Sequence, residues 1–537
     1  MDVLRTFRTR VTRQSVKADA RQVENAAGGY TFVPDDQARL HRFLTLGTEG
    51  GTYYTNAKDL TEDNARVVVR AAETDCVGLV RHIVAVSEAG RAPRQNPALF
   101  ALAIAASAAD DDGRAAALAA LPRVARTGTH LFQFAGYVEQ FRGWGRGLRK
   151  AVGNWYADKD ANQLAYQVCK YRQRDGWTHR DLLRLSHPSN DSATKAALYE
   201  WICGRGRGDG GVLPGLVDAF IAAQEATSAS AWVALIDANP ALSWEMLPDA
   251  ALAEADVWRA LINHGMPQTA LMRQLPRLTR LGVLDGEVGR AVATQLQDPD
   301  RLAKARVHPV NVLVAQRTYA SGRSARGEST WAPEPKISDA LDAAFYHAYG
   351  AVEPANKRTL LALDVSGSMG TSVSGLPLTC REAAAALAMV TAATERDHQV
   401  VGFTSASRGY DWRDNTFLTR LDVGPRRRLD DVCRYTSELP MGATDCALPM
   451  VWAAKNRVKV DTFQIYTDNE TWHGAIHPHQ ALRQYRDTMG IDARLVVVAM
   501  TATGSTIADP SDPKQLDVSG FDSAVPNLLA DFSRGDV

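Results

Sequence analysis

Between about residue 35 and residue 300 the apolar positions recur at helical spacing, in short segments broken by Gly, Pro or polar turns. The Ala/Leu-rich stretch LFALAIAASAA (99–109) predicts a buried helix, and AAALAALPRVA (115–125) a second. Further helices are predicted near 161–174, 194–203, 212–226, 228–238, 256–264 and 286–297. Strand signals are scarce before residue 355. Serial helix pairs of this length predict an α-solenoid of HEAT type, although no strict sequence period is visible. Residues 1–24 are polar and basic without an amphipathic repeat, and residues 1–20 are expected to form a flexible arm.

The pattern changes near residue 356. RTLLALDVS (358–366), QVVGFT (399–404), TFQIYTD (462–468) and ARLVVVAM (493–500) read as near-continuous apolar strands. REAAAALAMVTAAT (381–394) is a strong helix between the first two. This alternation predicts a parallel, doubly wound α/β domain. The expected organisation is an arm at 1–20, a helical module at 21–355 and an α/β domain at 356–537. In such sheets ligands sit beyond the carboxyl ends of the strands, where the polar residues of interest fall.

A chain of 537 residues exceeds one core, and 45% hydrophobic residues supply the apolar mass for several. The formal net charge is zero, so the total does not point to nucleic acid. Its distribution does: residues 123–184 carry 12 Lys and Arg against 5 Asp and Glu, a net of +7. The six cysteines form no CxxC pair, which is the usage of a reduced cytosolic protein. With no apolar leader and no run of 18 apolar residues, neither a signal peptide nor a membrane span is expected, and the chain is expected in the cytoplasm.

Asp364, Ser366 and Ser368 stand directly after the first strand, Thr444 in a Gly-Ala-Thr-Asp loop, and Asp468 at the end of a later strand. Carboxylates and hydroxyls are hard oxygen donors suited to Mg²⁺ or Mn²⁺. The set resembles the metal-ion-dependent adhesion site of von Willebrand factor A (vWA) domains. That resemblance implies that the two serines and the threonine bind the ion directly, that the aspartates act partly through water, and that an open position accepts an acidic group of a protein ligand. Asp445 competes with Thr444 as a ligand, and the sequence leaves that choice open.

Longer motifs carry a second resemblance. AlaGlyGlyTyr (27–30), GlyThrGluGlyGlyThrTyrTyr (47–54), TrpGlyArgGlyLeuArgLysAla (144–151), LysTyrArgGlnArgAspGlyTrpThrHisArg (170–180) and ArgValHisProValAsnValLeuValAla (306–315) are similar to the TROVE module of the Ro autoantigen family. The compact Ala- and Arg-rich chain points to a bacterial orthologue. The resemblance implies a toroid of HEAT-like helix pairs closed by the vWA domain. It implies small non-coding Y RNA on a basic outer face and single-stranded ends of misfolded RNA in a central hole. It further implies a role in RNA quality control, an exoribonuclease tethered through the Y RNA, and a single-chain monomer.

Lys170, Arg174 and His187 match the family's Y RNA contacts. Arg172, His179, Arg180 and Arg184 extend the basic surface, and a helix through 170–174 places Lys170 and Arg174 on one face. Arg142, Arg146, Arg149 and Lys150 surround Trp144 and are expected at the entrance or the hole. Trp144, Tyr171 and Trp177 either stack on bases or pack in the core. ArgGlyAsp (207–209) reads as chance, ArgArgArg (426–428) as a solvated loop or helix start, and His473, His477 and His479 as a surface loop without enough ligands for zinc. No catalytic set is found. The leading reading is a non-enzymatic RNA-binding protein, the alternative a metal-dependent protein-binding scaffold. A metal nuclease is disfavoured, because the site offers hydroxyls and one ion rather than clustered carboxylates.

Overall fold

The computed structural model describes residues 11–48, 65–206, 211–324, 328–350, 352–371, 378–404, 418–424, 426–439, 442–501, 503–520 and 523–536. The ArgGlyAsp tripeptide and most of the Gly47–Tyr54 motif lie outside them.

Helices follow one another from Asp36–Leu46 to Pro335–His347, each packing on near neighbours in the series. In the helix Asn96–Ala105 every residue after the first is buried, as its composition requires. Later helices of the series are started locally: Asp110, Thr127, Asp160, Thr178, Ser192 and Ser228 each accept a backbone N–H in the first turn of the helix they precede. Asp75 interrupts Arg66–Glu88 with non-helical backbone, and its carboxylate accepts the Gly78 N–H at 2.8 Å, restarting the helix. The series closes on itself: His308 Nε2 meets the Arg91 carbonyl at 2.9 Å, across 217 positions of sequence, at the start of the helix Pro309–Ala320.

The expected helix near 161–174 ends at Lys170. Gln173–Arg174 and Trp177–Thr178 instead form an antiparallel hairpin. Asp175 (φ 51°) and Gly176 (φ 84°) turn it, both in the left-handed region that a tight two-residue turn demands. Lys170 and Arg174 therefore do not share a helix face.

The second half is a six-stranded sheet. Its order is 515–519, 494–499, 462–467, 359–364, 398–403 and 418–420, parallel except for the short last strand. Thr359–Asp364 and Thr462–Thr467 are buried at every position, which explains their unbroken apolar runs. Helix Cys380–Thr394 is buried from Cys380 to Ala392, between the sheet and the helix Leu429–Ser437. Its capping residue Glu382 also pairs with Arg317 of the helical half at 2.9 Å. Arg42 spans the other junction. Its side chain is 1% exposed, pairs with Asp517 at 2.6 Å and donates to the Thr503 and Ser505 carbonyls.

Residues 11–32 depart from the expected flexible arm. They run across the α/β domain as a strap. Gln14 donates through Nε2 to Asp445 (2.8 Å) and to the Ile476 carbonyl, and accepts from Thr471 Oγ1. Its backbone bonds the Gly474 carbonyl and the Tyr30 N–H. Phe32 pairs with Thr506 as an isolated bridge. Two glycines permit this approach: a Cβ on Gly29 would stand 2.0 Å from the Thr471 carbonyl, and one on Gly474 2.5 Å from Gln14 Nε2. His477 and His479 consequently do not form a surface loop. They are buried beneath the strap, with His477 Nε2 at 2.9 Å from the Val16 carbonyl. All six cysteines are buried thiols.

Candidate metal and nucleic-acid sites

The carboxyl ends of the central strands bring Asp364, Ser366, Ser368, Thr444 and Asp468 together. Asp364 is fully buried, accepting the Ser366 N–H at 2.8 Å and the Thr467 hydroxyl at 2.7 Å. Ser366 and Ser368 hydroxyls lie 3.1 Å apart, and Ser368 is exposed. The Gly367 N–H bonds the Gly442 carbonyl at 3.1 Å, which draws the Thr444 loop alongside. Ser366, Ser368, Thr444 and Glu470 line an open cleft of about 370 Å³, rimmed by Trp472 and by Ala26 and Ala27 of the strap. Asp445 does not line this cleft. Its carboxylate is engaged by Gln14 and by the Ala447 N–H.

Sequence reasoning missed Arg381, which holds the loop from behind. Its buried guanidinium donates to the carbonyls of Val365, Ser366, Thr436 and Leu439. It also missed Thr467, although the Thr-Asp pair ending the strand was visible. Gln14 carries no local signal, since its partners lie more than 400 positions away.

The donor chemistry fits a divalent ion. Burial pushes the Asp364 carboxyl up to about 7, with the Asp468 charge adding to it, and burial raises Asp468 as well. Arg381 is committed to carbonyls, and among the described residues no Lys or Arg forms an ion pair with either aspartate. Two carboxylates with adjacent hydroxyls and, among the described residues, no ion-paired Lys or Arg are the surroundings that Mg²⁺ or Mn²⁺ suits. Among the described residues no three His, Cys, Asp or Glu side chains cluster to hold a metal, so the hydroxyls are essential to this candidate.

A carboxyl group whose folded value exceeds its unfolded value stabilises the fold below the unfolded value. That stabilisation is lost as pH rises through the folded value. Without metal, the stability lost at Asp364 therefore builds from the ordinary carboxylate range up to about 7 and is fully present above it. Mg²⁺ is expected to raise the melting temperature by several degrees at about pH 8 and by little at about pH 5, read by thermal melts. An equal rise at both values would count against these residues as ligands.

The basic residues divide into two groups. Arg142, Arg146, Arg149 and Lys150 are exposed around the start of the helix Arg146–Ala157, and Arg180 and Arg184 are exposed on the helix His179–Ser186 packed beside it. Among the described residues Arg146, Arg149, Lys150, Arg180 and Arg184 form no ion pair. Trp144 and Trp177, with rings 5.5 Å apart, tie the loop before the first helix to the hairpin before the second. Arg172 lies over Phe220, Arg174 is half exposed beside Asp175, and His187 is an exposed left-handed cap.

The second group is internal. His179 is 2% exposed, its Nδ1 lies 2.8 Å from the Tyr156 hydroxyl, and its ring packs edge-on against Phe132. Burial lowers its pKa to about 4. It is a core histidine and not part of the basic surface, because helices that the sequence separates converge on it. Lys170 has a side chain only 8% exposed, 3.4 Å from Glu245 and bonded to the Tyr166 hydroxyl. Arg427 pairs with Asp422 of its own domain, and Arg428 with Asp430 and with Asp339 of the helix Pro335–His347, so Arg428 braces the helical half.

Comparison with known proteins agrees with both halves. Residues 23–205 and 238–357 match the TROVE domain, and residues 358–533 match the Ro60 vWA domain. The RNA-binding protein RO60 of Deinococcus radiodurans is 40% identical over 98% of this chain and 97% of its own length. The Caenorhabditis elegans protein of that name is 36% identical over 98% of this chain and 92% of its own. The crystal structure of the Deinococcus radiodurans RO (RSR) protein superposes with a TM-score of 0.71, covering 94% of this chain and 100% of the other. A helical TROVE module followed by a Ro60-type vWA domain, matched along nearly its whole length, makes this chain a member of the Ro60 family.

Proposed function

We propose that this chain is an RNA-binding protein that carries structured non-coding RNA on the exposed basic surface of the helices Arg146–Ala157 and His179–Ser186. The observation that carries the reading is the set of exposed, unpaired cations on two helices braced by the Trp144–Trp177 contact. Unpaired guanidinium groups bind phosphates by displacing condensed counterions, without the cost of breaking an existing ion pair. In keeping with the family, the RNA is a small Y RNA, single-stranded ends of misfolded RNA enter the closed helical series, and an exoribonuclease is tethered through the Y RNA. The protein acts by binding, in the cytoplasm, and not by catalysis.

The vWA cleft supports a second activity, metal-dependent capture of a protein ligand. Ser366, Ser368, Thr444, Asp364 and Asp468 would hold Mg²⁺ or Mn²⁺, which when bound offers a coordination position to an acidic group. Ser368 is exposed at the cleft and available for that geometry.

Titration of a stem-loop RNA with a single-stranded 3′ tail across a salt series tests the first activity. Binding should weaken with salt at a log–log slope of about −3 or steeper, the value for several displaced phosphates. A salt-independent affinity, or none at low salt, would overturn it.

A further inference from the structure

The strap reaches the candidate metal cleft through three of its residues. Gln14 is fully buried and its amide is used at both ends. Nε2 donates to Asp445 Oδ1 at 2.8 Å and to the Ile476 carbonyl at 2.9 Å, while Oε1 accepts the Thr471 hydroxyl at 2.5 Å. Asp445 directly follows Thr444, and Thr471 stands three residues beyond Asp468. The Thr471 hydroxyl in turn accepts the Cys446 N–H at 3.2 Å, and the Thr444 carbonyl accepts the His473 N–H at 3.1 Å. One side chain of the strap therefore reinforces the junction between the loop carrying Thr444 and the loop carrying Asp468. Asn25 donates to the Thr471 carbonyl at 2.8 Å. The Ala27 N–H reaches a carboxylate oxygen of Glu470 at 3.2 Å, and Ala26, Ala27 and Glu470 all line the cleft.

The two sides of the cleft are secured differently. The loop carrying Ser366 and Ser368 is fixed from within the α/β domain, where Arg381 donates to the Val365 and Ser366 carbonyls. The loops carrying Thr444 and Asp468 are braced by a segment more than 400 positions away in sequence. Groups that orient metal ligands set the affinity of a site nearly as much as the ligands do, because an ion gains little from donors that must first be brought into place. We infer that Gln14 is a positioning residue of the metal cleft, and that the docked strap and the bound ion stabilise each other. The inference rests on the reading of this cleft as a Mg²⁺ or Mn²⁺ site. Linkage makes the effect reciprocal: the factor by which docking raises affinity for the ion is the factor by which the ion favours the docked strap. The strap thereby regulates the cleft, and its release lowers the occupancy of the ion that would receive an acidic protein ligand.

The test is calorimetric titration of the full chain with Mn²⁺ alone, in wild type, Gln14→Ala and Asn25→Ala. Gln14→Ala should weaken Mn²⁺ by about 10- to 100-fold, and Asn25→Ala should act in the same direction. Melting curves check that the variants fold; if Gln14→Ala does not, Asn25→Ala decides alone. The reciprocal arm is cleavage after Lys17, which is exposed on the strap, by a lysine-specific protease. Saturating Mn²⁺ should slow that cleavage at least about fivefold in wild type, and not in Thr444→Ala, whose cleft has lost a ligand. A lower melting temperature with unchanged Mn²⁺ affinity in the folded variants would make the strap merely structural and overturn the inference. Cleavage indifferent to Mn²⁺, or slowed equally in Thr444→Ala, would overturn it too. In each of these cases wild type still binds Mn²⁺ and the metal reading stands, whereas no Mn²⁺ binding by wild type removes that reading and this inference together.

Discussion

Replacing Arg146, Arg149, Arg180 and Arg184 together with alanine is expected to lower affinity for the tailed stem-loop RNA by about 100- to 1,000-fold at 0.1 M salt. Each phosphate contact contributes about 0.7–0.9 to the log–log salt slope, so losing four should flatten it by about 3. All four side chains are exposed and, among the described residues, outside any ion pair, so their removal leaves no partner uncompensated. Melting temperature should stay near that of wild type, which separates lost binding from lost folding. Lys170→Ala is the poorer probe. Lys170 is mostly buried against Glu245 and Tyr166, and its loss disturbs packing as well as charge. An unchanged slope in the quadruple variant would move the RNA site elsewhere on the protein.

Arg42→Ala is expected to destabilise the protein by about 3–5 kcal/mol, the range for removing one partner of a buried ion pair. The guanidinium joins the first helix of the series to the last strand of the sheet, and its partner Asp517 is itself 9% exposed. Without it Asp517 is left charged in a nearly dry junction, and the Thr503 carbonyl loses the Arg42 donor, while the Ser505 carbonyl keeps Asn469 and the Thr503 hydroxyl. Urea denaturation measures the loss. The double variant Arg42→Ala/Asp517→Ala should recover part of it, because the stranded carboxylate is then removed too. A loss below about 1 kcal/mol would mean that water enters the junction and replaces the pair.

The sequence was most legible where the cause of structure is local. The buried helix at 96–105 and the apolar strands leading to Asp364 and Asp468 follow from composition and period alone. The Asp364–Ser368 loop was legible because its donors lie within five residues. The hairpin at 173–178 was misread. The charges at 170 and 174 fit helical spacing, yet the Asp-Gly pair at 175–176 was the stronger signal for a turn. His179 was misplaced for another reason. Its burial depends on Phe132 and Tyr156, which belong to separate helices, and spacing along one segment carries no trace of that. The strap was illegible for the same reason, since a polar stretch with no periodicity gains its order only from the surface it crosses.

That strap also constrains the order of assembly. The hydrogen-bond partners of Gln14, Asp445, Thr471 and Ile476, emerge from the ribosome more than 400 residues after it. Contacts of such long sequence separation form late, because the intervening chain must be positioned first. During synthesis the segment Val11–Phe32 must therefore wait without a seat, and its docking becomes a closing step of biogenesis. A nascent chain truncated before residue 445 should leave this segment open to protease, and the finished chain should protect it.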